Sequence, residues 1–359
     1  MVNTRKRGYL IIAGLTVLLL FVHLRRRSTY LEGDTNSQVA AQQRTGQRTG
    51  ALQSTTQQAR LSWSEFRPKF PIQEYIGIPA GRPVPLPKIQ ASFSNQTETE
   101  DQTRARLKRR AFVKRVFGRA WTSYRKRAWL KDELQPVSGK SNLWYGGWAA
   151  TLIDSLDTLW IMDMKKEFEE GVAAVSTIDF SLGSSTQELI NVFETNIRHL
   201  GGLIGAYDLS GDKRLLEKAV ELGNMLYASF DTPNHMPLTR WRPAYANGKF
   251  EQRAEAAVLA AEMGSFCLEF TRLTQLTGDK RYFDAAHRIT NKLAEAQMKT
   301  RLPGLFNLVV DGMHMKFHGG GSFKLGAMID SLYVAFIFQA RSACRHDSIS
   351  FVWLAFCQR

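Results

Sequence analysis

One short turn occurs twice in this sequence and limits what the chain can fold into. Ser210-Gly211-Asp212-Lys213-Arg214 recurs as Thr277-Gly278-Asp279-Lys280-Arg281. In each copy the glycine supplies a left-handed stop for one helix and the aspartate caps the start of the next. Phe193, Ile197, Leu200, Ile204 and Tyr207 form an apolar stripe before the first turn; Phe266, Phe270, Leu273 and Leu276 do the same before the second. Units of this kind cannot bury their apolar faces alone and must stack on neighbours. The pattern predicts an all-α class, as a solenoid or a closed α/α toroid of helical hairpins. Strand patterns are scarce, and Leu305 to Val310 is the best short candidate. From Arg104 a further helical period begins, with Phe112, Val116, Ala120, Trp121, Tyr124 and Ala128 on its apolar face.

A chain of 359 residues, 44% of them hydrophobic, can bury a large core. Its net charge of +15 invites a nucleic-acid reading. Residues 1–140, however, hold 26 Lys and Arg against 9 Asp and Glu, whereas residues 141–359 hold 22 against 24. The surplus sits in the N-terminal third, and no helix-turn-helix, finger or aromatic-basic motif accompanies it, so no nucleic-acid partner is expected. Three cysteines exclude a disulfide-built scaffold. No Cys or His spacing suggests zinc; Cys267 reads as a small core residue, and His235, His287, His314 and His318 as ordinary histidines.

Gly8 to Leu24 is an apolar run bracketed by Arg5-Lys6-Arg7 and Arg25-Arg26-Arg27. As a helix it would rise about 25 Å, near the lower limit for spanning a bilayer. No small-residue cleavage site precedes the trailing arginines, so residues 1–30 are expected to be a cytoplasmic tail and an uncleaved signal-anchor transmembrane helix. Residues 31–102 read as a disordered stem: Asn36 to Gln58 lacks apolar periodicity, and Pro79 to Pro87 favours extended chain. Asn95-Gln96-Thr97 is a glycosylation sequon. Its use would make the stem luminal, with the bulk of the chain on that side as a single-pass type II protein. The short span suits an early secretory membrane, endoplasmic reticulum or Golgi.

Chemistry concentrates on carboxylates. Glu194, Arg198, Gly201 and Gly205 share a helical face at i, i+4, i+7 and i+11. Each interior glycine costs about 1 kcal/mol relative to Ala, so something must approach that face closely. The bland reading is a surface Glu–Arg pair worth a few tenths of a kcal/mol, beside glycines that allow tight packing. Asp154 and Asp157 sit in an apolar helical stretch, either facing a ligand or paired internally. Glu262 and Glu269 lie on one face of another helix, and Asp330 follows the apolar Ala327-Met328-Ile329. Several partly buried carboxylates without a nucleophile motif point to general acid–base chemistry, of which glycoside hydrolysis is the commonest use.

Five segments carry a resemblance: Phe112 to Leu134, Gly146 to Met162, Val192 to Ser210, Ala261 to Asp279 and Phe323 to Tyr333. Together they resemble class I α-mannosidases, the α-1,2-mannosidases of glycoside hydrolase family 47, over about residues 105–333. The resemblance implies an (α/α)7 barrel with a deep pocket and a Ca²⁺ ion at its base. It implies inverting removal of terminal α-1,2-linked mannose from high-mannose N-glycans. On this likeness Glu194 is a catalytic acid acting through water, Asp330 a second essential carboxylate, and Arg198 and Glu262 are substrate contacts. At Met328 the endoplasmic-reticulum type carries an Arg that grips one glycan branch; Met cannot donate those bonds, so broader, Golgi-like trimming is expected.

The likeness stops after Tyr333. Residues 103–333 are expected to form the N-terminal part of the catalytic domain, a partial barrel, and residues 334–359 an aberrant tail. The rest of the family domain carries a third carboxylate, usually assigned as general base, the Thr that ligates Ca²⁺ and the family disulfide. No calcium ligand is therefore expected in this chain, and Cys344 and Cys357 are not expected to be that bridge. The chain by itself is expected to be inactive. The alternatives are a non-catalytic, lectin-like glycan-binding member and a non-functional fragment.

Overall fold

The computed structural model describes residues 62–80, 97–247 and 250–343. The anchor segment, Asn95, Cys344 and Cys357 lie outside them. Among the described residues no helix is long and apolar enough to cross a membrane.

Helix α1 (Glu100–Arg127) opens on a capping box in which Thr99 and Gln102 bond reciprocally. Then follow α2 (Ala150–Asp154), α3 (Leu156–Ile161), α4 (Lys165–Ser176) and α5 (Val192–Glu194). Helix α5 runs through a π-helical stretch, Thr195–Leu200, into α6 (Gly201–Ser210). The described chain continues with α7 (Lys213–Tyr227), α8 (Ala260–Gly264), α9 (Cys267–Thr277), α10 (Lys280–Gln297) and α11 (Asp330–Ala343).

The two repeated turns behave as their sequence predicts. Gly211 and Gly278 end α6 and α9 at φ +73° and +77°. Asp212 and Asp279 then cap α7 and α10, each carboxylate accepting from the backbone N–H two residues on at 3.0 Å. The hairpins α6–α7 and α9–α10 pack on each other; α3 and α4 back the first, and α8 and α11 back the second. Aromatic rings meet in their shared core, where Phe266 lies edge-on to Phe230 and tilted against Phe270, 5.1 Å from each ring.

Among the described residues, strands are confined to three antiparallel ladders of two residues per strand. These are β1 (Glu133–Leu134) with β2 (Ser141–Asn142), β3 (Ile190–Asn191) with β4 (Arg240–Trp241), and β5 (Val258–Leu259) with β6 (Val309–Val310). Strand β6 falls inside Leu305 to Val310, the best strand candidate in the sequence. The role of the ladders is local: β3 leads straight into α5 and β5 into α8.

Two expectations differ from the structure. Residues 62–80 fall in the segment expected to be disordered stem, yet they pack on the helices. Trp63 is 2% exposed, lies 5.7 Å from the Trp241 ring and donates from Nε1 to the Phe180 carbonyl. Asp231 accepts from the backbone N–H of Lys69 and Phe70, both at 2.8 Å, and Asp284 from that of Ile76 at 2.9 Å. Buried aromatic rings and satisfied backbone donors offset the ordering entropy that composition alone left uncompensated. The apolar stripe of α1 is buried only at its C-terminal end: Trp121, Tyr124 and Ala128 are buried, whereas Phe112 and Val116 are exposed, the Phe112 ring lying under Arg115.

Candidate active site

The site grows from the end of β3. Asn191 pairs with Arg240 across the ladder, then turns its side chain back to accept from the Glu194 N–H at 3.2 Å. This cap starts α5 and places Glu194 in its first turn. Arg198 donates from Nε to Glu194 Oε2 at 2.7 Å. Its Nη1 stands 3.9 Å from Asp154 Oδ2, and its guanidinium lies over the Tyr145 ring at 5.0 Å. Burial works against the Arg198 charge, but Glu194, Tyr145 and Asp154 outweigh it and raise the Arg198 pKa above its ordinary value. Asp154 is pushed up by burial, which Arg198 only partly offsets.

The loop carrying Tyr145 is held by a carboxylate that the sequence did not single out. Asp132 is fully buried, and its Oδ2 accepts from the N–H groups of Tyr145 and Gly147 at 2.8 and 2.9 Å. Its other oxygen accepts from Ala150 N–H at 3.2 Å. The turn needs glycine, since Gly146 has φ +85° and a Cβ there would meet the Trp148 ring at 2.5 Å. Asp157 bonds the backbone and hydroxyl of its neighbour Thr158. Of the two acids in that segment, only Asp154 reaches the Glu194–Arg198 pair.

A second pair stands beside the first. Arg240, opposite Asn191, clamps Glu262 with two bonds of 2.7 and 3.0 Å. Glu255 anchors this strand by accepting from the N–H of Thr239 and Arg240 at 3.0 and 3.1 Å. Neither Arg240 nor Glu255 was expected from the sequence.

Asp330 begins α11, exposed, its carboxylate accepting from Ser331 N–H at 2.9 Å. It lines a hollow of about 270 Å³ together with Ile197 of the π-helical stretch, Ser265 and Glu269. Met328, just before α11, is 54% exposed and sits at φ +76°. Glu194, Arg198 and Glu262 are thus placed around one ladder, whereas Asp330 lines a hollow with Ile197 and Glu269 whose lining includes none of those three.

The glycine-lined face is only partly what its spacing suggested. Gly201 lies against the Glu269 carboxylate and Gly202 against the Ile153 backbone, while a Cβ at Gly205 would meet nothing within 4 Å. The π-helical stretch also shifts everything after it about one residue around the helix, so the straight i, i+7, i+11 alignment does not persist. Cys267 is buried, with its thiol pKa raised by that burial. Among the described residues no group of three or more His, Cys, Asp or Glu side chains forms a metal shell. The calcium ligand that the resemblance implies is expected in the part of the domain beyond Tyr333, and no step below runs through calcium.

Comparison with known proteins identifies the family. The sequence pattern of glycosyl hydrolase family 47 matches residues 116–350. The human endoplasmic reticulum mannosyl-oligosaccharide 1,2-alpha-mannosidase is 39% identical over 218 residues, 61% of this chain and 30% of that protein. The Arabidopsis thaliana mannosyl-oligosaccharide 1,2-alpha-mannosidase MNS1 is 39% identical over 189 residues, 52% of this chain and 33% of its own. The solved alpha-1,2-mannosidase from Trichoderma reesei superposes with a TM-score of 0.62 at 28% identity, over 69% of this chain and 53% of that one. The chain thus spans about a third of these two curated relatives and about half of the solved enzyme.

Proposed function

The chain belongs to glycosyl hydrolase family 47, and from that premise we propose that it is an α-1,2-mannosidase, or the acid-bearing part of one. The substrate is terminal α-1,2-linked mannose on high-mannose N-glycans, cleaved with inversion. The reading rests above all on the Glu194–Arg198 pair, held at the head of one helix beside Asp154 and Tyr145.

Glu194 supplies the proton to the leaving glycosidic oxygen through a water. Arg198 keeps that carboxyl in one rotamer and presents its remaining N–H groups to sugar hydroxyls. Glu262, pre-aligned by Arg240, accepts from sugar hydroxyls, and Asp330 is the second essential carboxylate. Inversion requires two carboxyl groups about 6.5–9.5 Å apart with room for the attacking water between them. By the family resemblance the water-activating base comes from the portion of the domain that the match does not span. The helices described here form part of the (α/α)7 barrel wall. The protein works in the secretory pathway, in endoplasmic reticulum or Golgi, anchored by residues 8–24 with the catalytic part luminal and Asn95 glycosylated.

The test is mannose release from a labelled high-mannose oligosaccharide with calcium present. It is run on this chain and on one extended with the remaining family domain. The extended chain is expected to release mannose, and Glu194→Gln to abolish release while retaining the glycan. Glycan retention without release by the unsubstituted extended chain would favour a lectin-like member instead, and neither retention nor release would refute the assignment.

A further inference from the structure

The π-helical stretch between Glu194 and α6 is a costly conformation, and such turns seldom persist without tertiary support. Part of that support comes from one residue of α9. Asn196 is 1% exposed, and its side-chain amide donates to Glu269 Oε2 at 2.8 Å and to the Ser265 carbonyl at 3.3 Å. The other carboxylate oxygen of Glu269 lies 3.3 Å from where a Cβ on Gly201 would stand. Glu269 therefore touches the second residue of the stretch and the residue that follows its end. Between those two contacts sits Arg198, the partner of Glu194.

We propose that Glu269 is a positioning residue for the Glu194–Arg198 pair, acting from α9 on the π-helical stretch through Asn196. It touches no substrate. It fixes the helical register that lets an arginine four residues on reach back to the acid, even though the turns between them are widened. Gly201 is the counterpart of this contact: a side chain there would push the carboxylate off Asn196. The glycine whose cost had no visible return in the sequence makes room for this anchor. The catalytic meaning of the proposal rests on the mannosidase reading, but the anchoring does not.

The experiment compares Glu269→Leu, which removes the acceptor, with Glu269→Gln, which keeps an oxygen for Asn196. Amide hydrogen exchange is read segment by segment on the full chain. Loss of a bond to a buried acceptor is expected to speed exchange in residues 195–201 about tenfold in Glu269→Leu. Exchange in α7 and α10 is expected to stay unchanged, and Glu269→Gln to match the unsubstituted chain. In an extended, mannose-releasing chain, Glu269→Leu should lower kcat about tenfold with KM nearly constant, and Glu269→Gln should restore it. Where Glu269→Leu does not fold, Asn196→Ala removes the same bond from the other side. Unchanged exchange in 195–201, a uniform rise across all helices, or failure of Glu269→Gln to rescue would overturn the proposal. If no chain releases mannose, the functional reading fails, while the exchange comparison still decides whether Glu269 anchors the stretch.

Discussion

His199 sits one residue from Arg198 with neither ring nitrogen bonded, packed edge-on against Trp148 at 6.1 Å. Burial, helped by Arg198, pushes its pKa down from 6.5 to about 3. It is neutral in the fold and takes up a proton on unfolding below 6.5, so it makes stability rise with pH from about 3 to 6.5. Glu269, half-buried on the hollow it shares with Asp330, has the opposite sign. Burial raises its carboxyl from 4.5 to about 7, so it keeps its proton in the fold and loses it on unfolding; stability then falls as pH rises from 4.5 to 7. The two slopes oppose each other between 4.5 and 6.5. Denaturant titrations across that window should show stability falling with pH in His199→Leu and rising with pH in Glu269→Gln. The folding constant should change by up to about tenfold per pH unit in each. Two flat profiles would show that neither group titrates as placed. Met328 is the other position where one side chain decides an outcome: its exposed side chain precedes Asp330 and has no hydrogen bond to offer. In a mannose-releasing extended chain, Met328→Arg should narrow trimming toward one branch, read from the isomers left after partial digestion.

At the scale of elements, what was legible in sequence is what neighbours along the chain decide. The Gly-Asp turns are such a case, since cap and stop both act within a few residues. Gly278→Ala should cost about 1 kcal/mol because φ is +77° there, and Asp279→Ala about the same through the lost cap. Thermal melts would check both, and Gly211 with Asp212 should give matching values because the geometry repeats. The Glu194–Arg198 bond was legible for the same reason, four residues apart on one helix. Asp132, Arg240 and Glu255 were not, because each acts on a segment distant in sequence; Glu269 was singled out, but its partner Asn196, 73 residues away, was not. A run such as Lys131-Asp132-Glu133 reads as surface charge until the Tyr145 loop folds over it. Nor does any residue pattern announce the π-helical stretch, or that a Cβ at Gly205 would meet nothing within 4 Å.

For the molecule as a whole, the segment at 62–80 ties the hairpins together. Trp63 and Phe66 belong to the same core as the repeated helices, and Asp231 and Asp284 satisfy the strap's backbone. Trp63→Ala should cost about 3–5 kcal/mol, as expected for a large buried ring. Urea unfolding would measure it, and a cost under 1 kcal/mol would mean the strap is not integral. The sequence by itself determined the helical class, the positions of the turns, the acid–arginine pair and the family, because periodicity, capping and short spacings are local properties. The tertiary structure alone decided which acids are anchored and by whom, which glycines admit a neighbour, and that the supposed stem packs. Those outcomes depend on burial and on hydrogen-bond partners brought together from distant parts of the chain.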